Sequence, residues 1–159
     1  MAREKFLFNR PVYGGCAIYA IMNRKKMTVY VGQTTNLKNR AKQHDEQLYK
    51  GNHVNKELQL SAKQGETLDF ITLLRLPTGT SEDELKLLEK LFMFDFLNAG
   101  FTLYNETMND RQVVMQNIVM MLSMHYRTRE MVSDAYMDKY NKHYCYDIEL
   151  LRNGKTEIR

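Results

Sequence analysis

The 159-residue sequence has only two cysteines, Cys16 and Cys145, far apart and without metal-ligand spacing. A zinc ribbon or finger is therefore excluded, and both are read as buried or free thiols in a reducing compartment. There is also no long hydrophobic run. The most apolar stretch, QVVMQNIVMMLSMHY over residues 112–126, falls short of the roughly 20 residues that cross a bilayer. No membrane partner is expected. The first ten residues hold no apolar leader core, so no signal peptide is expected. Repeats and low-complexity segments are missing, which leaves a globular chain long enough to bury a core without staples.

Strong overall charge is missing too, since the net is only +4. Its distribution is uneven. Residues 1–60 hold eleven Lys/Arg against four Asp/Glu, a net of +7. Residues 61–105 hold four against seven, and residues 106–159 hold eight against eight. The local basic excess suits a polyanion such as nucleic acid, or an ordinary solvated face. The balanced tail argues against a separate basic DNA-binding arm.

What is present reads as α+β. After a lead-in over residues 1–15, the runs CAIYAIM (16–22) and MTVYV (27–31) flank the polar connector 23–26. They predict a β-hairpin, although the turn lacks Asn-Gly or Asp-Gly. Ile18 and Ala20 share one face, and Tyr19 and Ile21 the other. Asn36 caps a predicted helix over 37–48, stopped by Gly51, and a second helix is expected over 54–63. Residues 68–76 read as a third strand. Ser81 with Glu84 forms a capping box for a long helix over 82–98. Residues 101–105 form a short extended piece. In the tail, 112–126 reads as a buried helix, 128–141 as another, and 144–151 as a strand or irregular segment.

The long helix carries one residue out of place. At about 100° per residue, Glu89 falls within the apolar arc of Leu85, Phe92 and Phe96. A carboxylate there is costly unless paired or metal-bound. It is either half of a buried salt bridge to an arginine or a metal ligand or catalytic carboxylate. Glu84 lies off that arc and fits capping better. Tyr19, Tyr30, Arg40 and His53 each have an ordinary reading as packing or surface residues. With Glu89 they supply what phosphodiester hydrolysis requires. Tyrosine or histidine can relay a proton, arginine can clamp a phosphate, and a carboxylate can hold a divalent cation.

The ordered series resembles the GIY-YIG endonuclease family over residues 16–106. Ala17-Ile18-Tyr19 matches the first motif and Tyr30-Val31-Gly32 the second. Arg40, ten residues past Tyr30, matches the family's arginine. His53 matches a histidine found in some members, Glu89 the metal-binding glutamate, and Asn105 the asparagine that closes the domain. Ala17 stands for the usual glycine and Val31 for isoleucine; neither change removes a catalytic side chain.

The resemblance implies a small, mostly antiparallel sheet of about three strands flanked by helices, with a mainly helical extension over 107–159. That extension packs on the core or in a dimer interface. The resemblance also implies a divalent-metal-dependent DNA endonuclease. Tyr19 is the leading general base, Tyr30 and His53 assist, and Arg40 binds the scissile phosphate. Glu89 holds one Mg²⁺ or Mn²⁺, and Asn105 braces the site. Lys38 and Lys42 join Arg40 as DNA contacts. The expected partners are DNA and, through residues 112–126, a second copy of the chain. The expected location is the cytoplasm of a bacterial or phage-infected cell. Two other functions compete: a non-catalytic nucleic-acid-binding module of the same fold, and a protein-interaction role centred on the methionine-rich tail.

Overall fold

A computed structural model describes residues 7–105, 108 and 110–124. The expected helix over 128–141, the segment 144–151 and Cys145 lie outside the described residues. Cys16 is a buried free thiol.

The hairpin forms as the apolar runs require. β1 (Cys16–Asn23) and β2 (Thr28–Thr34) pair antiparallel, with Tyr19 opposite Gly32. Met27 takes a positive φ of 51° in the connector, the task that glycine or asparagine performs in tighter hairpins. β2 runs on past Val31 to Thr34, further than the apolar run over 27–31 implied. β3 (Asp69–Leu76) pairs antiparallel with the other side of β1. β1 is thus the interior strand of a sheet ordered β3-β1-β2-β4, and every one of its residues is buried.

The sheet has four strands rather than about three, and it is mixed. The short extended piece becomes β4 (Thr102–Leu103), which runs parallel to β2. Two residues are too few for alternation to signal a strand.

Helices cover both faces, α1 (Leu37–Lys50) and α2 (Lys56–Lys63) on one, α3 (Glu82–Asn98) and α4 (Arg111–Met124) on the other. Ile18, Ala20 and Met22 enter the larger core with Leu85, Leu88, Phe92 and Phe96 of α3. Ala17, Tyr19 and Ile21 face the α1/α2 side, as the strand period dictates. A bulge shifts the β1–β3 register between Ile18 and Tyr19, leaving Leu73 as the extra residue. Consecutive Leu73 and Leu74 consequently both enter the larger core.

The caps follow the sequence. Asn36 Oδ1 accepts from the Asn39 N–H at 3.1 Å, and Gly51 closes α1 at φ 84°. Asn55, rather than residue 53, caps the shorter α2. Ser81 Oγ accepts from the Glu84 N–H and donates to the Glu84 carboxylate, so Glu84 serves the cap. Val114 and Ile118 pack α4 into the larger core, while Met115, Val119 and Met120 stay exposed. No helix of the described residues is long and apolar enough to cross a membrane.

Candidate active site

The α1/α2 face of the hairpin carries a cluster of rings. Tyr19 lies across Gly32, its partner in the β1–β2 register, and stacks on Phe70 of β3 with centroids 5.0 Å apart. A Cβ at position 32 would stand 2.5 Å from the Tyr19 ring and hydroxyl. The second-motif glycine is therefore a steric necessity. Tyr30 completes the strand contribution, 6.5 Å from Tyr19 between centroids.

α1 brings Arg40 and His44 to this cluster one helical turn apart. Arg40 Nε donates to the Tyr19 hydroxyl at 3.2 Å, and Arg40 Nη1 donates to Gln43 at 3.1 Å. His44 Nε2 lies 2.6 Å from the same hydroxyl. On its other side His44 Nδ1 meets His53 Nε2 at 2.7 Å. The Asn55 N–H donates to His53 Nδ1 at 3.0 Å, and the Gln59 side chain accepts from the His53 N–H at 2.9 Å. His44 is not among the residues singled out from the sequence. The available signal is its i, i+4 spacing from Arg40 on an amphipathic helix.

Burial governs the protonation states. His44 is 1% exposed. Burial first, then the Arg40 charge, pull its pKa down to about 3. Burial lowers His53 as well, and the Arg40 charge adds to it. Both rings are neutral at pH 7. The Asn55 N–H can only donate, so His53 Nδ1 is bare and its proton sits on Nε2. That proton is donated to His44 Nδ1, which leaves the His44 proton on Nε2, donated to Tyr19. The Tyr19 oxygen therefore accepts two hydrogen bonds, from His44 and from Arg40. Even so, burial and then the neighbouring Tyr30 push the Tyr19 pKa well above the ordinary value, with Arg40 pulling the other way. Tyr30 is raised too, mainly by burial.

Glu89 and Asn105 stand along a neighbouring cavity of ≈ 430 Å³, also lined by Val54, Asn55, Lys56, Lys90, Met93 and Met108. Glu89 does not disappear into the α3 core as its place on the apolar arc implies. It reaches this cavity, and its partner is Lys90, 3.1 Å away, rather than an arginine. Burial raises its pKa against the pull of Lys90. Its charge is felt at both tyrosines. Asn105 bridges β2 through its amide. Oδ1 accepts from the Val31 N–H and Nδ2 donates to the Val31 carbonyl, both at 3.0 Å. That clamp fixes the strand one residue past Tyr30. Lys38 and Lys42 are exposed on α1, each two residues from Arg40 and so about 200° around the helix from it. Lys42 lies 4.0 Å from Glu46.

Among the described residues no three His, Cys, Asp or Glu side chains form a metal cage. One carboxylate opening on a polar cavity still fits a hard cation of the Mg²⁺ kind. Such ions keep several waters and bind through one or two carboxylates plus substrate phosphates.

No curated protein and no solved structure matches the chain. A family model does match, and its span covers the hairpin, Arg40, His44, His53 and Glu89, with Asn105 beyond its end. Residues 15–91 of the chain match the GIY-YIG catalytic domain, a domain of nucleases.

Proposed function

We propose that the chain is a divalent-metal-dependent endonuclease that hydrolyses phosphodiester bonds in DNA. The observation that carries this is the Tyr19 hydroxyl, held between Arg40 Nε at 3.2 Å and His44 Nε2 at 2.6 Å, with the tautomer argued above making both of them donors. A phenol oxygen with two fixed donors is set up to take a proton and to carry negative charge.

The guanidinium of Arg40 has a division of labour built in. Its Nε is spent on Tyr19 and Nη1 also donates to the Gln43 side chain, and the scissile phosphate is held by the remaining Nη hydrogens, with Gln43 giving way on the exposed side. One side chain thereby sets the phosphate beside the base. Water attacks phosphorus, its proton passes to the Tyr19 phenolate, and the P–O bond to the leaving oxygen breaks. Tyr30, beside Arg40, orients the water. His53 holds the His44 tautomer that faces Tyr19. Glu89 would hold the divalent cation, Mg²⁺ or Mn²⁺, which would supply charge neutralisation at the phosphate and the leaving oxygen. Asn105 keeps β2, and with it Tyr30, in place. Lys38 and Lys42, turned away from Arg40, contact more distant phosphates.

Self-association belongs to the same reading, because two copies can cut both strands. The outward face of α4 with Met115, Val119 and Met120 supplies the contact. Sedimentation of wild type beside a Val119→Asp, Met120→Asp variant tests it, and a monomer in both ends it.

Plasmid cleavage in Mg²⁺, Mn²⁺ or EDTA tests the activity. Wild type should convert supercoiled DNA with metal and not in EDTA, and Arg40→Ala and Glu89→Ala should not. Supercoiled DNA left intact by wild type with both metals overturns the nuclease reading. Full activity in Glu89→Ala overturns only the choice of metal ligand.

A further inference from the structure

Glu89 and Lys90 are consecutive on α3, yet Lys90 Nζ stands 3.1 Å from Glu89 Oε1. Neighbouring helical residues point about 100° apart and do not ordinarily face each other. The pair closes only because both side chains bend into the same cavity, where each is 17% exposed. Lys56 lines that cavity too, at the start of α2. Two lysines thus line the cavity beside one carboxylate, an excess of positive charge that suits an anionic guest.

We propose that Lys90 is a phosphate-binding residue held on Glu89, which it leaves for the DNA backbone once the carboxylate takes a divalent cation. This rests on the nuclease reading above. A doubly charged ion on Glu89 outcompetes a single ammonium and repels it. The lysine stem has four rotatable carbons, so the head can move while α3 stays put. The anion that enters the cavity with the metal is the substrate phosphate, and it becomes the new partner. Glu89 thereby keeps a strong phosphate ligand engaged until metal is present, which ties tight substrate binding to metal loading.

The test is duplex binding, which needs no turnover. A fluorescent oligonucleotide duplex is titrated in EDTA over a range of salt with wild type, Lys90→Met, Glu89→Gln and the double variant. Each phosphate contact adds about 0.9 to the slope of log K against log salt. With Glu89→Gln the lysine is released, so adding Lys90→Met should lower the slope by about one. In the wild-type background, where Glu89 holds the lysine, Lys90→Met should leave the slope unchanged. Repeating the wild-type and Lys90→Met pair in Ca²⁺ should open the same difference of about one. Thermal melting checks that each variant folds, and Lys90→Gln replaces Lys90→Met if it does not. Equal slopes in every pair reduce Lys90 to a structural ion pair and overturn the proposal. An equal loss in both EDTA backgrounds makes it a permanent DNA contact and overturns the exchange. Wild type that binds duplex but lacks the pattern sinks this inference alone. Wild type that binds no duplex in EDTA or Ca²⁺ removes the nuclease reading with it.

Discussion

His44 Nδ1 and His53 Nε2 meet at 2.7 Å, and a backbone group outside the pair sets the direction of that hydrogen bond. The Asn55 N–H occupies His53 Nδ1, so the protons run from His53 to His44 to Tyr19. The expected outcome is a single tautomer at both rings. Nitrogen-15 NMR of the imidazoles should show Nε2 protonated and Nδ1 bare in each. A protonated His44 Nδ1 would mean that Tyr19 donates to His44, and the two-donor account of the phenol would be lost. His44→Ala should lower the cleavage rate by about 10²-fold, the scale of one removed donor to a developing charge.

The phenol that receives those donors has its pKa raised well above 10, chiefly by burial. A general base works in its deprotonated form. A base whose pKa lies above the working range gains about tenfold in that form per pH unit. Single-turnover cleavage by the metal-loaded protein should therefore climb with pH, with a logarithmic slope near one, through at least pH 9. A plateau reached below pH 7 would assign the base to an imidazole and remove Tyr19 from the role.

The same burial makes the fold acid-sensitive. His44 has an ordinary pKa of 6.5 and a folded-state pKa near 3. Below pH 6.5 the unfolded chain binds a proton that the folded protein refuses, so stability falls as pH falls. The loss continues until the pH reaches the folded value. Between pH 6.5 and 5 it amounts to about 2 kcal/mol, and His53, lowered for the same first reason, adds in the same direction. Urea unfolding at pH 7, 6 and 5 should show this decline, and His44→Asn should flatten it. A decline unchanged in His44→Asn would place the acid sensitivity elsewhere.

These predictions show where the sequence was transparent and where it was opaque. Strand period placed Tyr19 opposite Ile18, and the Ser81–Glu84 capping signal located the start of α3, because both are local rules. The parallel β4 was opaque because its two residues are defined by pairing with β2 rather than by their own pattern. His44 was opaque for another reason. A histidine on a basic helix looks solvated, and only the fold shows it 1% exposed between Tyr19 and His53. Glu89 was half legible. Its misfit on the apolar arc was visible, but its cavity and its bond to Lys90 depend on α2 and Asn105 arriving from elsewhere in the chain.

Gly32 offers the sharpest separation of a motif position that matters from one that does not. The Tyr19 ring occupies the space where a Gly32 side chain would begin, with the nearest ring atom and the hydroxyl both at 2.5 Å. Tyr19 cannot retreat, since Phe70 stacks behind it and His44 and Arg40 hold its oxygen. Gly32→Ala should thus cost about 1–3 kcal/mol of stability, the usual range for overpacking. It should also lower the cleavage rate by about 10²-fold, as a misplaced reacting group does. Ala17, where the family usually has glycine, is fully buried and paired with Thr34 and Arg75 in the interior strand. Its methyl group already fits, so Ala17→Gly should keep the wild-type rate and lose only about 1 kcal/mol of strand stability. Melting temperature and single-turnover rate, measured side by side on the two variants, decide the matter. Wild-type values for Gly32→Ala would show that Tyr19 has room to move, and the tight coupling of β1 to β2 at the site would be wrong.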